Sequence, residues 1–266
     1  MAHSLPLLQP ERLRDDGFLS ALKALAADLG VVAAYGKILT DAVLEVPRIG
    51  LINVHASLLP KYRGAAPIHR AVMAGETVTG VTIMRVVKAL DAGPMLATAS
   101  RPIGAEDTSQ DVERDLAQLG AAALVKVADR LIAGDVAGTP QDESAASYAR
   151  KLEKADGVID WSAPAAVIHN QIRGLHPWPH AFADLDGVRC LLLESRVEGA
   201  TEGARRPGEE PGTIVEAHGD SLKVQTGDGI LRILRLQMEG RRALGAREFL
   251  AGRRLAAGAK FSRSPS

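Results

Sequence analysis

Residues 50–67, GLINVHASLLPKYRGAAP, constrain this chain more than any other stretch. They open as an apolar run of strand type ending at His55, then break into a segment rich in Gly, Pro and small side chains. The second part reads as a loop, and Pro67 suits the first turn of a following helix. Side chains alternate along a strand, so Asn53 and His55 share one face while Ile52 and Val54 take the other. Two polar groups thus stand together at the carboxyl end of a strand, where open α/β sheets bind ligands. An isolated Asn-x-His pair more often closes a hydrogen-bond ladder beside a satisfied histidine, so the surrounding elements decide its meaning.

Those elements alternate. Phe18, Leu22, Leu25 and Leu29 recur at helical spacing and predict an amphipathic helix over about residues 11–29. A short buried strand follows at 31–35, with a loop at 36–39 beyond its carboxyl end. Thr40 is placed to cap a brief helix that stops at Pro47. After the central loop come a helix at 67–74, a strand at 79–87, a loop carrying Asp91, and a strand at 95–102. Thr108 heads a long helix whose stripe is Val112, Leu116, Leu119, Leu124, Val127 and Leu131. Strands alternating with helices argue a parallel-rich, Rossmann-like α/β domain over residues 1–138. Residues 139–158 turn polar with Gly and Pro and read as a linker. From 159 to 266 a short helix ending at Gly174 precedes five strand-like pieces, at 181–185, 188–194, 213–217, 221–225 and 230–237. With a helix near 246–250, they predict a small OB-type β-barrel.

Composition narrows the class. Of 266 residues 46% are hydrophobic, enough for real cores, but only 3% are aromatic, so Ala, Leu and Val must fill them. The single cysteine, Cys190, excludes an internal disulfide and fits a reducing compartment. No run reaches the roughly 18 apolar residues of a membrane span, and a cytoplasmic monomer is expected. Net charge is zero, yet residues 221–266 hold ten Lys and Arg against three acids, and residues 1–220 hold 22 against 29. Such a basic tail either aids solubility or faces a polyanion, with Arg241, Arg242, Arg253 and Arg254 as candidate nucleic-acid contacts. No G-x-G-x-x-G or Walker loop is present, which argues against a nucleotide cofactor. His176 and His180 are four apart, but the prolines between them forbid the aligning helix, so no metal site is expected.

Asn53-Val-His-Ala-Ser-Leu-Leu-Pro60, followed by Tyr62-Arg-Gly-Ala-Ala-Pro-Ile68, resembles the signature of the 10-formyltetrahydrofolate-dependent formyltransferases. The resemblance continues through Thr79-Gly-Val-Thr-Ile83, Leu90-Asp-Ala-Gly93, Tyr148-Ala-Arg-Lys151, Ile159-Asp-Trp161, Arg173 and Pro177-Trp-Pro179. It ends in Pro211-Gly-Thr-Ile214 and Thr226-Gly-Asp-Gly-Ile230, covering nearly the whole chain. It implies transfer of a formyl group from 10-formyltetrahydrofolate, without a metal, to the α-amine of methionine on initiator tRNA. It also implies that Asn53, His55 and Asp91 are catalytic, and that Ser57, Leu58, Leu59 and Pro60 contact the folate. Lys37, Ile38 and Leu39, with residues 86–91, match regions that cradle the pterin. The bland account of Ser57 to Pro60 is a hydrophobic plug between strand and helix.

The residue types suit that chemistry. Formyl transfer to an amine passes through a tetrahedral oxyanion, which an Asn amide and a His ring N–H on one face can meet as donors. A free α-amine has a pKa of about 7.7–8, so a strong base is not required. A carboxylate that holds the histidine's protonation state and relays the amine proton does help, and Asp91 is the candidate. Two other readings stay open: formylation of an amino-sugar nucleotide, and a remnant that binds folate or RNA without turnover. The remnant reading follows from a departure. The family's chains begin with a strand, a Gly-Thr-Pro turn, a helix, a second strand and a basic loop, whereas this sequence opens at the stretch matching residues 5–10. An N-terminally incomplete domain is therefore expected, with an apolar edge exposed beside the strand at 31–35.

Overall fold

The computed structural model describes residues 5–135, 137–198, 209–253, 255 and 257–263. Asp15 caps helix α1 (Asp16–Ala24), accepting from the Phe18 amide at 2.9 Å. The helix is shorter than its apolar spacing suggested. Ala26 takes a left-handed φ of 46°, and Leu29 is claimed by strand β1 (Leu29–Val32), where it lies opposite Gly50. Helix α2 (Asp41–Leu44) follows Thr40, which occupies the cap position without its hydroxyl making the cap bond. Next come strand β2 (Gly50–His55), the two-residue β3 (Arg63–Gly64), and helix α3 (Pro67–Met73) with its proline in the first turn. Strands β4 (Val78–Arg85) and β5 (Met95–Pro102) lead to helix α4 (Ser109–Ile132). At its start the Thr108 amide donates to Asp111 Oδ2 at 3.1 Å, and the Asp111 amide donates to Thr108 Oγ1 at 3.2 Å. This reciprocal cap satisfies orphan donors of the first turn. Val112, Leu116, Val127 and Leu131 of the expected stripe are then buried, while Leu119 and Leu124 are half-buried.

These strands form one sheet in the order β1-β2-β4-β5. β1 and β2 pair in parallel, which sets Val32 opposite Asn53. β4 runs antiparallel to β2 and sets Thr82 opposite His55. Among the described residues β1 is an edge, and Val31 and Tyr35 are exposed there.

The chain divides into two compact units, one of Met1–Ala65, Gly80–Arg101 and Leu116–Ala149, the other of Ala66–Thr79, Pro102–Asp115 and Arg150–Ser266. Residues 139–149, polar enough to read as a linker, thus fall in the first unit. There β6 (Tyr148–Ala149) pairs in parallel with β3, Tyr148 opposite Arg63.

The second unit is built on helix α5 (Ala165–Gly174) and strands β7 (Ala181–Leu185), β8 (Val188–Glu198), β9 (Ile214–His218), β10 (Ser221–Gln225) and β11 (Ile230–Met238). The short β12 (Leu244–Gly245), helix α6 (Ala246–Gly252) and β13 (Phe261–Ser262) complete it. The antiparallel sheet runs β13-β7-β8-β11-β10-β9. A bridge between Thr213 and Lys260 brings its two ends together and curls it into the expected barrel. Ile168, Ile172, Leu185, Leu192, Leu222 and Leu231 fill the interior, each contributing about 1.5–3 kcal/mol by leaving water. Trp161 stacks on Phe261 with ring centroids 5.3 Å apart. No described helix is long and apolar enough to cross a membrane.

Candidate active site

The alternation of β2 puts the Asn53 side chain and the buried His55 ring on one face, and the loop beyond the strand folds back over them. Tyr62, at φ 61°, turns its carbonyl onto His55, whose Nε2 lies 3.0 Å from that oxygen. A carbonyl only accepts, so the proton of the neutral ring sits on Nε2. Nδ1 is left facing Asp91, with Oδ2 at 3.7 Å.

Asp91 reaches this point from the loop between β4 and β5, at a left-handed φ of 47°. Its Oδ2 accepts from the Gly64 amide at 2.9 Å, and its Oδ1 lies 3.5 Å from Asn53 Nδ2. Three residues from two distant parts of the sequence therefore meet at the carboxyl end of β2. They combine an amide donor, a ring nitrogen with a free lone pair, and a carboxylate held by a backbone amide. Such a set can hold an oxyanion, accept a proton and stabilise the resulting imidazolium.

The residues around the trio divide into two kinds. The Ser57 hydroxyl is fully buried and donates to the Lys61 carbonyl at 2.6 Å, and Leu59 is buried as well. Thr82 pins this segment from β4, donating to the Ser57 carbonyl at 2.7 Å and accepting from the Leu59 amide at 3.1 Å. Leu58 and Pro60 are half-buried. The side chains of Ser57 and Leu59 thus act as the plug that shapes the loop. By contrast Ile38 is 90% exposed, and Val87 and Leu90 are exposed in the loop that carries Asp91. Lys88 ties that loop to α2 through Asp41 at 3.2 Å, while Lys37 Nζ lies 3.4 Å from the Glu11 carbonyl.

The guanidinium of Arg63, 2% exposed, makes paired bonds to Glu143 at 2.9 and 2.8 Å and reaches Gln141 Oε1 at 2.8 Å. Its pKa is raised by the bond to Glu143. Gln141 in turn holds the Asp91 loop. In the sequence Thr82 is marked only as part of the Thr79–Ile83 resemblance, with no role attached, and Gln141 carries no signal because it lies in a polar stretch.

Among the candidate nucleic-acid contacts, Arg241 and Arg242 are exposed in the turn after β11, and Arg242 lies 3.7 Å from Glu248. Arg253 is engaged by Asp186 at 2.5 Å, and Arg254 lies outside the described residues. Burial pushes the Cys190 thiol up to about 12, which removes it as a nucleophile near neutrality. No group of three or more His, Cys, Asp or Glu among the described residues is placed to hold a metal ion.

Comparison with known proteins gives a consistent picture. The family described as "Formyl transferase" matches residues 1–128, and "Formyl transferase, C-terminal domain" matches residues 151–254. The methionyl-tRNA formyltransferase of Sorangium cellulosum is 42% identical over 97% of this chain and 82% of its own length. That of Nitrosococcus oceani is 43% identical over 100% of this chain and 81% of its own. Among solved structures, HypX from Aquifex aeolicus in complex with tetrahydrofolic acid matches with a TM-score of 0.65 at 19% identity, covering 87% of this chain and 40% of that one. WlaRD, a sugar 3N-formyl transferase, matches with a TM-score of 0.63 at 18% identity, covering 83% and 77%. At those identities the solved structures establish the shared fold alone.

Proposed function

The chain belongs to the methionyl-tRNA formyltransferase family, and on that premise we propose that it transfers a formyl group from 10-formyltetrahydrofolate to the α-amino group of methionine on initiator tRNA, for translation initiation. One observation carries the chemical part of this reading: the convergence of Asn53, His55 and Asp91 at the carboxyl end of β2.

The co-substrate supplies an activated formyl group, and the chain's residues fit such a molecule. Ile38, Val87 and Leu90 present exposed apolar surface on two loops of the first unit, and the Lys88–Asp41 pair ties the second loop to α2, which follows the first. A flat, amphiphilic heterocycle would cover that surface and use the loop backbone as donors. Asn53 Nδ2 is the donor for the developing oxyanion. His55 Nδ1 takes the proton lost by the attacking amine, because Nε2–H is committed to the Tyr62 carbonyl, and returns it to N10 of the folate as the tetrahedral adduct collapses, the formyl carbon–N10 bond breaks and tetrahydrofolate leaves. Only as imidazolium can the ring also donate from Nδ1, and Asp91 stands close enough to stabilise that form. The α-amine is already partly neutral near pH 7.7–8, so this modest base is adequate.

The test supplies the protein with labelled 10-formyltetrahydrofolate and two acceptors in parallel, charged initiator tRNA and an amino-sugar nucleotide. Formyl-methionyl-tRNA is the expected product. Label on the sugar alone would replace this reading with the sugar one, and no product in a single turnover with excess protein would leave a binding role.

A further inference from the structure

Asp91 occupies backbone space that non-glycine residues seldom adopt, so something must hold it there. The sheet does part of this work. Gly93 packs so closely that an added Cβ would lie 1.8 Å from the Arg85 carbonyl oxygen. The remaining constraint comes from far along the chain. Gln141 Nε2 donates to the Asp91 carbonyl at 2.8 Å and to the Gly93 carbonyl at 2.8 Å. Its Oε1 accepts from Arg63 Nε at 3.1 Å and from the second Arg63 nitrogen at 2.8 Å.

Both ends of this amide are fully used. A primary amide has two N–H donors, and both are spent on the loop carbonyls; its oxygen faces a guanidinium that can only donate. The orientation is therefore set by its neighbours, with no alternative flip that satisfies them. Arg63 is fixed in turn by the paired bonds to Glu143. The adjoining residue, Gly64, gives its amide to the Asp91 carboxylate. One rigid chain, Glu143 to Arg63 to Gln141, thus grips the loop by its carbonyls while the next amide after Arg63 grips the carboxylate.

The geometry points to Gln141 as a positioning residue for Asp91: it touches neither reacting group but sets where the carboxylate stands against His55. The inference rests on the reading of Asp91 as the carboxylate of formyl transfer. It adds a residue from the segment 139–149, whose polar sequence resembles a tether.

Gln141→Glu separates positioning from mere packing. It keeps the size of the side chain and an oxygen for Arg63, and it loses both donors to the loop. With kcat and KM measured for the full chain, Gln141→Glu and Gln141→Ala are each expected to lower kcat about 100-fold and to move the folate KM by less than about threefold. The exposed neighbour Asp142, changed to Ala, is expected to leave both constants alone. Amide hydrogen exchange at residues 88–93 is expected to quicken in Gln141→Glu while the strands of both sheets keep their protection. Gln141→Glu with kcat within about threefold of the parent overturns the proposal. So does faster exchange throughout the chain, which would mark a general stability role. If the parent protein forms no formyl product, the functional reading falls by itself. Exchange then decides the positioning role, and unchanged protection at 88–93 rejects it.

Discussion

In the proposed transfer His55 has one nitrogen to offer, Nδ1, because Nε2 is held by the Tyr62 carbonyl. Asn53→Ala is expected to raise the transfer barrier by about 2.7–4 kcal/mol, as for loss of an oxyanion donor, and His55→Ala to lower kcat by about 10²–10⁴-fold, as for loss of a general base, both read with saturating substrates. The double variant should cost less than the sum, since the two side chains serve one transition state. Full additivity would mean that they act in separate steps. Asp91→Asn should abolish most turnover while leaving folate binding within a few-fold. A second residue-scale prediction concerns pH. Burial of Asp156 would raise its carboxyl, but hydrogen bonds from Arg70, the Glu153 amide and Arg150, with the charge of Arg70, hold it below the ordinary 3.8. A carboxyl lowered on folding adds stability that is fully present above 3.8 and is lost as pH falls through the lower folded value. Urea unfolding between roughly pH 3 and 6 should show the parent losing stability faster than Asp156→Asn at the acid end. Parallel curves would remove Asp156 from the acid response.

At the scale of elements, β2 was legible because period-two alternation needs no partner to read: Asn53 and His55 share a face in any strand. What could not be read was the arrival of Asp91. It depends on the antiparallel pairing of β4 with β2, which sets Thr82 opposite His55, and on a turn whose shape Gly93 permits. Helix α1 was overcalled for a related reason, since Leu29 fits a helical stripe equally well until β2 offers it a ladder. Composition reads residues 139–158 as a linker; residues 139–149 fall in the first unit, where the polar side chains of Gln141, Glu143 and Ser147 bind Arg63 and the Tyr62 amide. Gly93→Ala tests the element itself. Its Cβ cannot coexist with the Arg85 carbonyl, so the β4–β5 connection must shift, at a cost of about 1–3 kcal/mol. The expected result is a lowered thermal midpoint together with loss of turnover. A variant with normal activity would show that Asp91 does not need this turn.

Over the whole molecule, half of the ten cations in the basic tail of the sequence are paired on folding with acids from earlier in the chain. Lys223 pairs with Glu198 and Glu216, Arg232 with Asp220, Arg235 with Glu194, Arg253 with Asp186 and Lys260 with Glu210. Every one of those acids precedes residue 221, so a charge count along the chain could not foresee the pairing. Phosphate contacts should therefore fall to cations such as Arg241, which is exposed in the turn after β11. Arg241→Ala is expected to make the fall of log affinity for tRNA with log salt shallower by about one, and Arg235→Ala to change it by less. Equal slopes in both variants would contradict this division. The bridge between Thr213 and Lys260 also imposes an order in time. Phe261 leaves the ribosome roughly 4–15 s after Leu185, its partner in β7, at ordinary rates of synthesis. From the completion of β9 until β13 follows, the nascent sheet has open margins at β7 and β9. Until β13 arrives, those unpaired edges are the places where another nascent copy can add a strand in its stead.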